Sequence, residues 1–310
     1  MTILAIDIGG SGSRIVAADG DSRRADGPAP VLGAAGHEHA EVIRALAGVL
    51  GAVTGTVDTV AVSATGLISR GHRDDLVSVI RGFWAPRRVI ALSDAVAAVV
   101  AAWDLRGGGV VAAGTGVIGF GTDLLGTWRR SDGWGNLVGD EGSAAWIGQR
   151  GLIAAFRAHD GRPGGSEPLL RAAQVRFGII DDLPHYLRAA RNSAGELASF
   201  APDVTAAAHG GDDVAADVVR RAAAHLADTG LSVLAGSVPP RLALIGGIAS
   251  DPLLSSDFLA HVRARRPDVE ARISSESPLD GALALARESA EGTDRSSHPP
   301  YLTIHDQGAS

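Results

Sequence analysis

Two short segments place hydroxyls among glycines directly after an apolar run. The first is Asp7-Ile8-Gly9-Gly10-Ser11-Gly12-Ser13, with the acid near the end of the run Ile3–Ile8. Glycines expose backbone N–H groups, so such a turn can wrap an anion, and Ser11 and Ser13 add two more donors. Asp7 stands where it could reach a magnesium ion, most simply through water. The second segment is Ala113-Gly114-Thr115-Gly116, an amide-lined turn of the same kind with one threonine hydroxyl. Taken singly, each could be a tight hairpin that uses glycine for positive φ. Taken together, between apolar strands, they suit a polyphosphate gripped from both sides. Neither is a dinucleotide fingerprint. After Gly10-Ser11-Gly12 the third glycine position is Ile15, and a strand follows where a helix is required.

Five further groups bear weighing. Asp94 follows Ser93 at the first turn of a helix, behind an apolar strand. The helix dipole favours a carboxylate there, and the carboxyl end of a sheet strand is where a general base is presented. Ser93-Asp94 reads equally well as an ordinary helix start. The stretch Gly133-Trp134-Gly135-Asn136-Leu137-Val138-Gly139-Asp140-Glu141-Gly142-Ser143 joins four glycines, a tryptophan and two adjacent acids ahead of an apolar helix. Paired acceptors beside a flat aromatic wall are what polyol recognition needs, whereas a glycine loop ahead of an N-cap would need neither acid. Gly246-Gly247, after the strand Leu242–Ile245, lets another backbone or a flat ring come close. His37-Glu38-His39 has metal-site character but no matching partner cluster, so it reads as a solvated loop or helix start. Arg129-Arg130 reads as a solvated pair.

These residues need elements to hold them. The spacing predicts a hairpin over Ile3–Ile8 and Arg14–Ala18, a helix over His39–Leu50, a strand over Val57–Ser63 and an amphipathic helix over Arg73–Gly82. Strand Val89–Leu92 then leads into a helix over Asp94–Trp103. The plan of apolar strand, small polar turn and second strand recurs at Val110–Ala113 and Val117–Gly121, about a hundred residues after its first use, and suggests two related lobes. From Ser143 to Leu234 the chain reads as helical, broken near Gly161–Gly165, Pro184, Pro202 and Gly210–Gly211. A strand over Arg241–Ile245 and a helix over Leu279–Ala286 follow, and from Glu288 the composition turns polar and reads as a mobile tail.

Composition narrows the chemistry. The 310 residues carry a net charge of −7 and 45% hydrophobic residues, which describes a folded chain without a nucleic-acid or membrane-surface footprint. Absence of cysteine removes disulfides, thiolate metal sites and thiol nucleophiles. All 28 basic residues are arginine, so there is no Walker-A lysine, Schiff base or lysine general base. Met1–Asp7 lacks a basic lead and carries an acid, so it reads as a strand and not a secretion signal, and no apolar run reaches the roughly 18–20 residues of a membrane span. A cytoplasmic location is expected.

The chain resembles the superfamily of acetate and sugar kinases, Hsp70 and actin, and within it the N-acetylglucosamine kinases and the related BadF/BadG-type ATPases. Asp7–Ser13 is similar to that superfamily's first phosphate motif, Ala112–Gly116 to its second, Leu244–Ser250 to its adenosine motif and Pro278–Ala286 to its closing helix. Gly133-Trp134-Gly135 with Gly139–Ser143 resembles the sugar signature of the N-acetylglucosamine kinases. The resemblance implies an α/β fold of two ribonuclease-H-like (actin-like ATPase) lobes, with mixed central sheets flanked by helices and a nucleotide cleft between them. The lobes would be residues 1–106 and 107–287, the second with a helical insertion, followed by the tail 288–310. It implies ATP and Mg2+ as cofactors and a small-molecule sugar as partner, with neither nucleic acid nor membrane involved; a homodimer is compatible with it.

Carried over by position, the resemblance makes Asp94 the catalytic base and a substrate contact, with Thr65, Gly133, Trp134, Gly135, Asp140 and Glu141 at the sugar. Gly9, Gly10, Ser11, Gly12, Ser13, Gly114, Thr115, Gly116, Gly246, Gly247 and Ser250 would hold the nucleotide, and Asp7 the metal. The expected reaction moves the γ-phosphate of ATP to the 6-hydroxyl of an amino sugar, N-acetylglucosamine above all. Glucosamine, N-acetylmuramic acid or another hexose, or a non-catalytic ATP-binding switch, are the alternatives. Val117-Ile118 departs from the usual serine or Ser-Asn after Gly-Thr-Gly and leaves the 2-substituent of the sugar open.

Overall fold

In the computed structural model, which describes residues 2–10, 12–18, 22–33, 36–53, 55–66, 70–293 and 295–308, the chain divides into two units. The first is built from residues 1–107, 122–128 and 276–310, and the second from 108–121 and 129–275.

The first unit opens with β1 (Thr2–Gly9) and β2 (Gly12–Ala18), then β3 (Arg23–Gly27), the short pair β4 (Leu32–Gly33) and β5 (Gly36–His37), and α1 (His39–Leu50). Strand β6 (Val57–Ala64), α2 (Arg70–Trp84), β7 (Arg88–Ser93) and α3 (Asp94–Trp103) follow. Three strands are parallel neighbours, with Asp7 opposite Ser63 and Ser63 opposite Leu92, so β1, β6 and β7 end along one edge. β2 returns antiparallel to β1, with Asp7 opposite Arg14. The alternation of a strand then sorts the side chains. Leu4, Ile6 and Ile8 join Val42, Ile43 and Leu46 of α1 and Leu76 and Ile80 of α2 in one core, which turns Asp7 to the other face.

The second unit contains β8 (Gly108–Ala113), β9 (Val117–Thr122), β10 (Trp128–Asp132) and α4 (Ala144–His159). A helical stretch follows: α5 (Glu167–Phe177), α6 (Leu183–Ala189), α7 (Ser193–Ser199), α8 (Ala201–His209) and the 20-residue α9 (Asp213–Ser232). Pro184 and Pro202 do interrupt the chain as expected, each in the first turn of a new helix where a missing N–H costs nothing. Strand β11 (Arg241–Ile245), α10 (Pro252–Arg265) and β12 (Glu270–Ile273) complete the unit. Its sheet runs β10-β9-β8-β11-β12, with β8, β11 and β12 parallel.

Two expectations about the end of the chain are corrected. The closing helix α11 (Pro278–Ala290) belongs to the first unit, where it packs on α3, β1 and β6. Gly281 allows this: a Cβ there would lie 1.9 Å from the Ala97 carbonyl oxygen of α3, so only glycine permits so close a crossing. The stretch after Glu288 is not simply a polar tail, because β13 (Leu302–Asp306) pairs antiparallel with β7 and closes the sheet β13-β7-β6-β1-β2-β3. The buried Arg88 holds that strand by donating from Nε and Nη2 to the two Asp306 carboxylate oxygens, at 2.6 and 3.2 Å. Polar composition hid a strand whose pairing surface is backbone. Among the described residues no helix is long and apolar enough to cross a membrane.

Candidate active site

In the first unit the edge formed by the ends of β1, β6 and β7 collects the candidates. Parallel strands present their following turns on the same side, which is the usual location of an α/β site. Gly9 ends β1 and Gly10 follows it, Thr65 follows β6 and Asp94 follows β7. The Thr65 N–H donates to the Ile8 carbonyl at 2.9 Å, so the second of these turns is tied to the first strand.

Asp94 is half-buried and is the first residue of α3, whose N-cap Ser93 accepts the Val96 N–H. Its Oδ1 takes the Ala95 N–H at 2.8 Å, which orients the carboxylate at the strand-to-helix junction. Asp7 is only 3% exposed. It accepts from Ser63 Oγ and from Arg14 Nη2, both at 3.1 Å. Burial pushes its pKa up, Ser63 and Arg14 pull it back, and the nearby Asp94 charge raises it further. Ser63 and Arg14 were not expected from the sequence, because only the strand register sets them opposite Asp7.

The first turn is open where a ligand would need it. A Cβ on Gly10 would meet nothing within 4 Å, so a phosphate can approach the backbone closely. Ser13 does not serve as a donor to that turn: it is buried, and its hydroxyl donates to the Pro28 carbonyl at 2.7 Å. Strand alternation points it inward. Ser11 lies outside the described residues.

Of the two expectations for His37-Glu38-His39, a solvated loop or a helix start, the helix start holds at its last residue, which is buried. His39 starts α1, is 3% exposed, and places Nε2 2.8 Å from the Thr65 carbonyl oxygen. It supports the turn that carries the expected sugar hydroxyl. The side chain of His37 lies outside the described residues.

In the second unit the turn Gly114–Gly116 follows β8 and feeds α4. Gly114 and Thr115 carbonyls accept the Ala144 and Ala145 N–H groups at 2.9 and 3.1 Å, and the fully buried Ser143 caps the same helix by accepting the Trp146 N–H. A cap of this kind contributes about 1 kcal/mol. A Cβ on Gly114 would meet nothing within 4 Å, and Thr115 is exposed. Strand β11 ends beside β8, and Gly246 (φ 104°) brings its turn against it: a Cβ there would lie 2.2 Å from the Ala113 carbonyl oxygen. Gly247 also faces open space, while Ser250 closes its own turn by donating to the Gly247 carbonyl at 2.7 Å. The Gly114–Gly116 turn and the Gly246–Ser250 turn are thus neighbours.

The loop after β10 is built around two acids. Asp140 (φ 57°) is half-buried, and a Cβ on Gly116 would sit 2.6 Å from its Oδ2. Burial raises its pKa, and the N–H groups of Gly135 and Val117, which donate to its carboxylate, work against that. Asp132 holds the loop from the other side, accepting the Asp140 N–H at 2.8 Å and the Glu141 N–H at 3.2 Å. It was missed in the sequence, although an acid ahead of a glycine loop is the residue type that satisfies such amides. Trp134 stays 68% exposed, and the Arg130 guanidinium lies over its ring at 4.8 Å while donating to the Gly133 carbonyl. Arg130 is therefore a brace for the loop and not simply a solvated charge. Glu141 is exposed, 3.6 Å from His225 Nδ1.

The open faces of Gly10, Gly114 and Gly247 fit a nucleotide lying against backbone. For magnesium, no group of three or more metal-ligating side chains occurs among the described residues. Asp7, already held by Arg14 and Ser63, fits a cation carried mainly by phosphates and water.

The sequence profile of the BadF/BadG/BcrA/BcrD ATPase family matches residues 6–286. The chain is 29% identical over 189 residues to an N-acetylmuramic acid/N-acetylglucosamine kinase of Clostridium acetobutylicum, a match that spans 60% of this chain and 61% of that protein's length. The crystal structure of a candidate N-acetylglucosamine kinase from Chromobacterium violaceum superposes with a TM-score of 0.70 at 25% identity, covering 92% of this chain and 98% of the other. A candidate N-acetylglucosamine kinase from Porphyromonas gingivalis gives 0.73 at 19% identity over 93% and 99% of the two chains. A ROK family glucokinase from Streptomyces griseus, solved with glucose and AMPPNP, gives 0.56 at 17% identity over 93% and 100%. The last two show the fold alone: α/β, with two mixed sheets flanked by helices, of the actin-like ATPase type.

Proposed function

This chain belongs to the BadF/BadG/BcrA/BcrD ATPase family, and from that premise we propose that it is a cytoplasmic, ATP-dependent sugar kinase acting on the 6-hydroxyl of an amino sugar, N-acetylglucosamine above all. The observation that carries the reading is the shared edge of β1, β6 and β7, which gathers Gly9-Gly10, Thr65 and Asp94. A carboxylate oriented by its own helix start, beside a turn open to phosphate, is what an alcohol phosphorylation needs.

Asp94 accepts the proton of the sugar 6-hydroxyl as that oxygen attacks the γ-phosphorus in line. The new sugar O–P bond forms as the bond to the β-phosphate oxygen breaks, and ADP leaves. General-base help of this kind contributes roughly 10²–10⁴-fold, and positioning and charge neutralisation supply the rest. Magnesium, when bound, neutralises charge on the β- and γ-phosphates. With no lysine in the chain, the other donors are backbone amides of the turns at Gly9–Gly12 and Gly114–Gly116. Gly246 and Gly247 lie along the adenosine. For the sugar, the family resemblance points to Thr65 in the first unit and to Trp134, Asp140 and Glu141 in the second.

The test is ADP release in a coupled assay over a panel of N-acetylglucosamine, N-acetylmuramic acid, glucosamine, N-acetylmannosamine and glucose. Sugar-dependent turnover with an acetylated amino sugar at the top is expected. ADP release that ignores every sugar, with no phosphorylated product, would identify a nucleotide switch instead.

A further inference from the structure

Helices α4 and α9 lie side by side in the second unit, with the Trp146 ring edge-on to His225 at 5.1 Å. Further along the pair, a groove of about 410 Å³ opens between them. That volume falls within the roughly 300–1,000 Å³ of small-molecule sites. Its floor is apolar, from Ile153, Ala154, Val214 and Val218. Its walls carry three arginines, Arg150, Arg157 and Arg221, and two acids, Asp213 and Asp217.

The arginines are arranged for a ligand more than for each other. Arg150 and Arg157 are seven residues apart on α4 and so share a face. The guanidinium groups of Arg150 and Arg221 each lie over the Trp146 ring, at 5.2 and 5.7 Å from its centroid, so one aromatic side chain holds both, and both line the same groove. Among the described residues Arg150 has no carboxylate within ion-pair distance, and its buried Nε has no hydrogen-bond partner. Arg157 donates to the Pro163 carbonyl and meets no carboxylate either. Arg221 has only Asp217, at 3.9 Å, and Asp217 is already bonded by Arg220 at 2.8 Å. Asp213 makes no ion pair among the described residues. An excess of positive charge thus lines a concave, partly apolar surface, where its field is strongest.

We propose that this groove is a binding site for a small phosphorylated polyol, separate from the residues assigned above to the kinase reaction. The planar forks of Arg150 and Arg221 match a phosphate group, with Arg157 a further donor. Asp213 and Asp217 accept from ligand hydroxyls, and the apolar floor takes the C–H face of a sugar ring. Phosphorylated sugars are the class to which a sugar kinase's product belongs; the site stands on its own residues, and only the blocking sugar in its test rests on the proposed function.

The test titrates the full chain with N-acetylglucosamine 6-phosphate and, separately, with inorganic phosphate, by calorimetry and by tryptophan fluorescence. Saturating N-acetylglucosamine is present throughout to block the reaction site. Binding of the sugar phosphate is expected to persist, to weaken about tenfold or more in the double variant Arg150→Gln/Arg221→Gln, and to change fluorescence only while Trp146 is present. Arg157→Gln, whose side chain supports no ring stacking, should weaken it in the same direction by less. Unchanged affinity in the folded double variant, or loss of binding under saturating sugar, would overturn the site. Inorganic phosphate binding as tightly as the ester would overturn the polyol part of the claim.

Discussion

The two glycine turns solve the same problem by different means. At the first, the turn after β1 is anchored through side chains: a buried Asp7 bonded to Ser63 and Arg14 across three strands, with Ser13 turned inward to Pro28. At the second, the anchoring is backbone to backbone, with Gly114 and Thr115 carbonyls receiving the first amides of α4. The second turn has no acid of its own and borrows one from the loop, since Asp140 reaches back to Gly116-Val117. Both turns thus combine open amides with a rigid base, supplied by a charge network in one and by a helix start in the other.

Five substitutions would break or sharpen this contrast. The largest effect is expected at Asp94, the proposed proton acceptor beside the first turn. Asp94→Asn should lower turnover about a hundredfold or more while ATP binding stays intact, and steady-state kinetics showing wild-type kcat would remove the assignment. Next are the glycines. Gly10→Ala and Gly114→Ala add a methyl where nothing lies within 4 Å, so both variants should fold within about 0.5 kcal/mol of wild type and yet raise the KM for ATP. Gly116→Ala adds it 2.6 Å from Asp140 Oδ2, so it should displace that carboxylate and raise the KM for sugar instead. Equal effects of Gly114→Ala and Gly116→Ala on the two constants would show that the second turn is not divided in this way.

The smallest effect concerns Asp7 and stability. Burial raises its pKa in the folded chain, so the folded state holds that proton more tightly than the unfolded state does. Stability contributed by this group is then present below the unfolded value of about 3.9 and declines as pH rises through the folded one. Asp7→Asn does not titrate, and Arg14, with 38% of its side chain exposed, can turn to water. Denaturant midpoints should therefore place the variant at or above wild type at pH 7, with its relative advantage shrinking toward pH 4. A variant that loses ground as pH rises would mean that the ion pair with Arg14 outweighs burial.

Much of the site was readable because its signals are local. Ser93 ahead of Asp94 is an N-cap followed by an acid, and the helix begins there. The paired glycine turns and the loop Gly133–Ser143 also announce themselves within a few residues. What could not be read depends on register or on long-range contact. Ser63 and Arg14 become partners of Asp7 only once β1 sits between β6 and β2. The helix start at His39 was legible, but its burial was not, because the Thr65 carbonyl it meets comes from a distant segment. Strand β13 was hidden because an edge strand needs backbone groups and a neighbour, and polar side chains reveal neither.

Sequence alone therefore determined which segments turn, which begin helices and which chemistry is excluded, since glycine, capping hydroxyls and the absence of cysteine and lysine act within a few residues. Tertiary structure decided which polar groups meet: Asp7 with Arg14, Asp140 with Val117, Arg150 with Arg221 around one tryptophan, and α11 with the first unit. The physical reason is that hydrogen bonds and charge pairs act over a few ångströms, and chain segments hundreds of residues apart are brought within that reach only by burying the cores that pack beneath them.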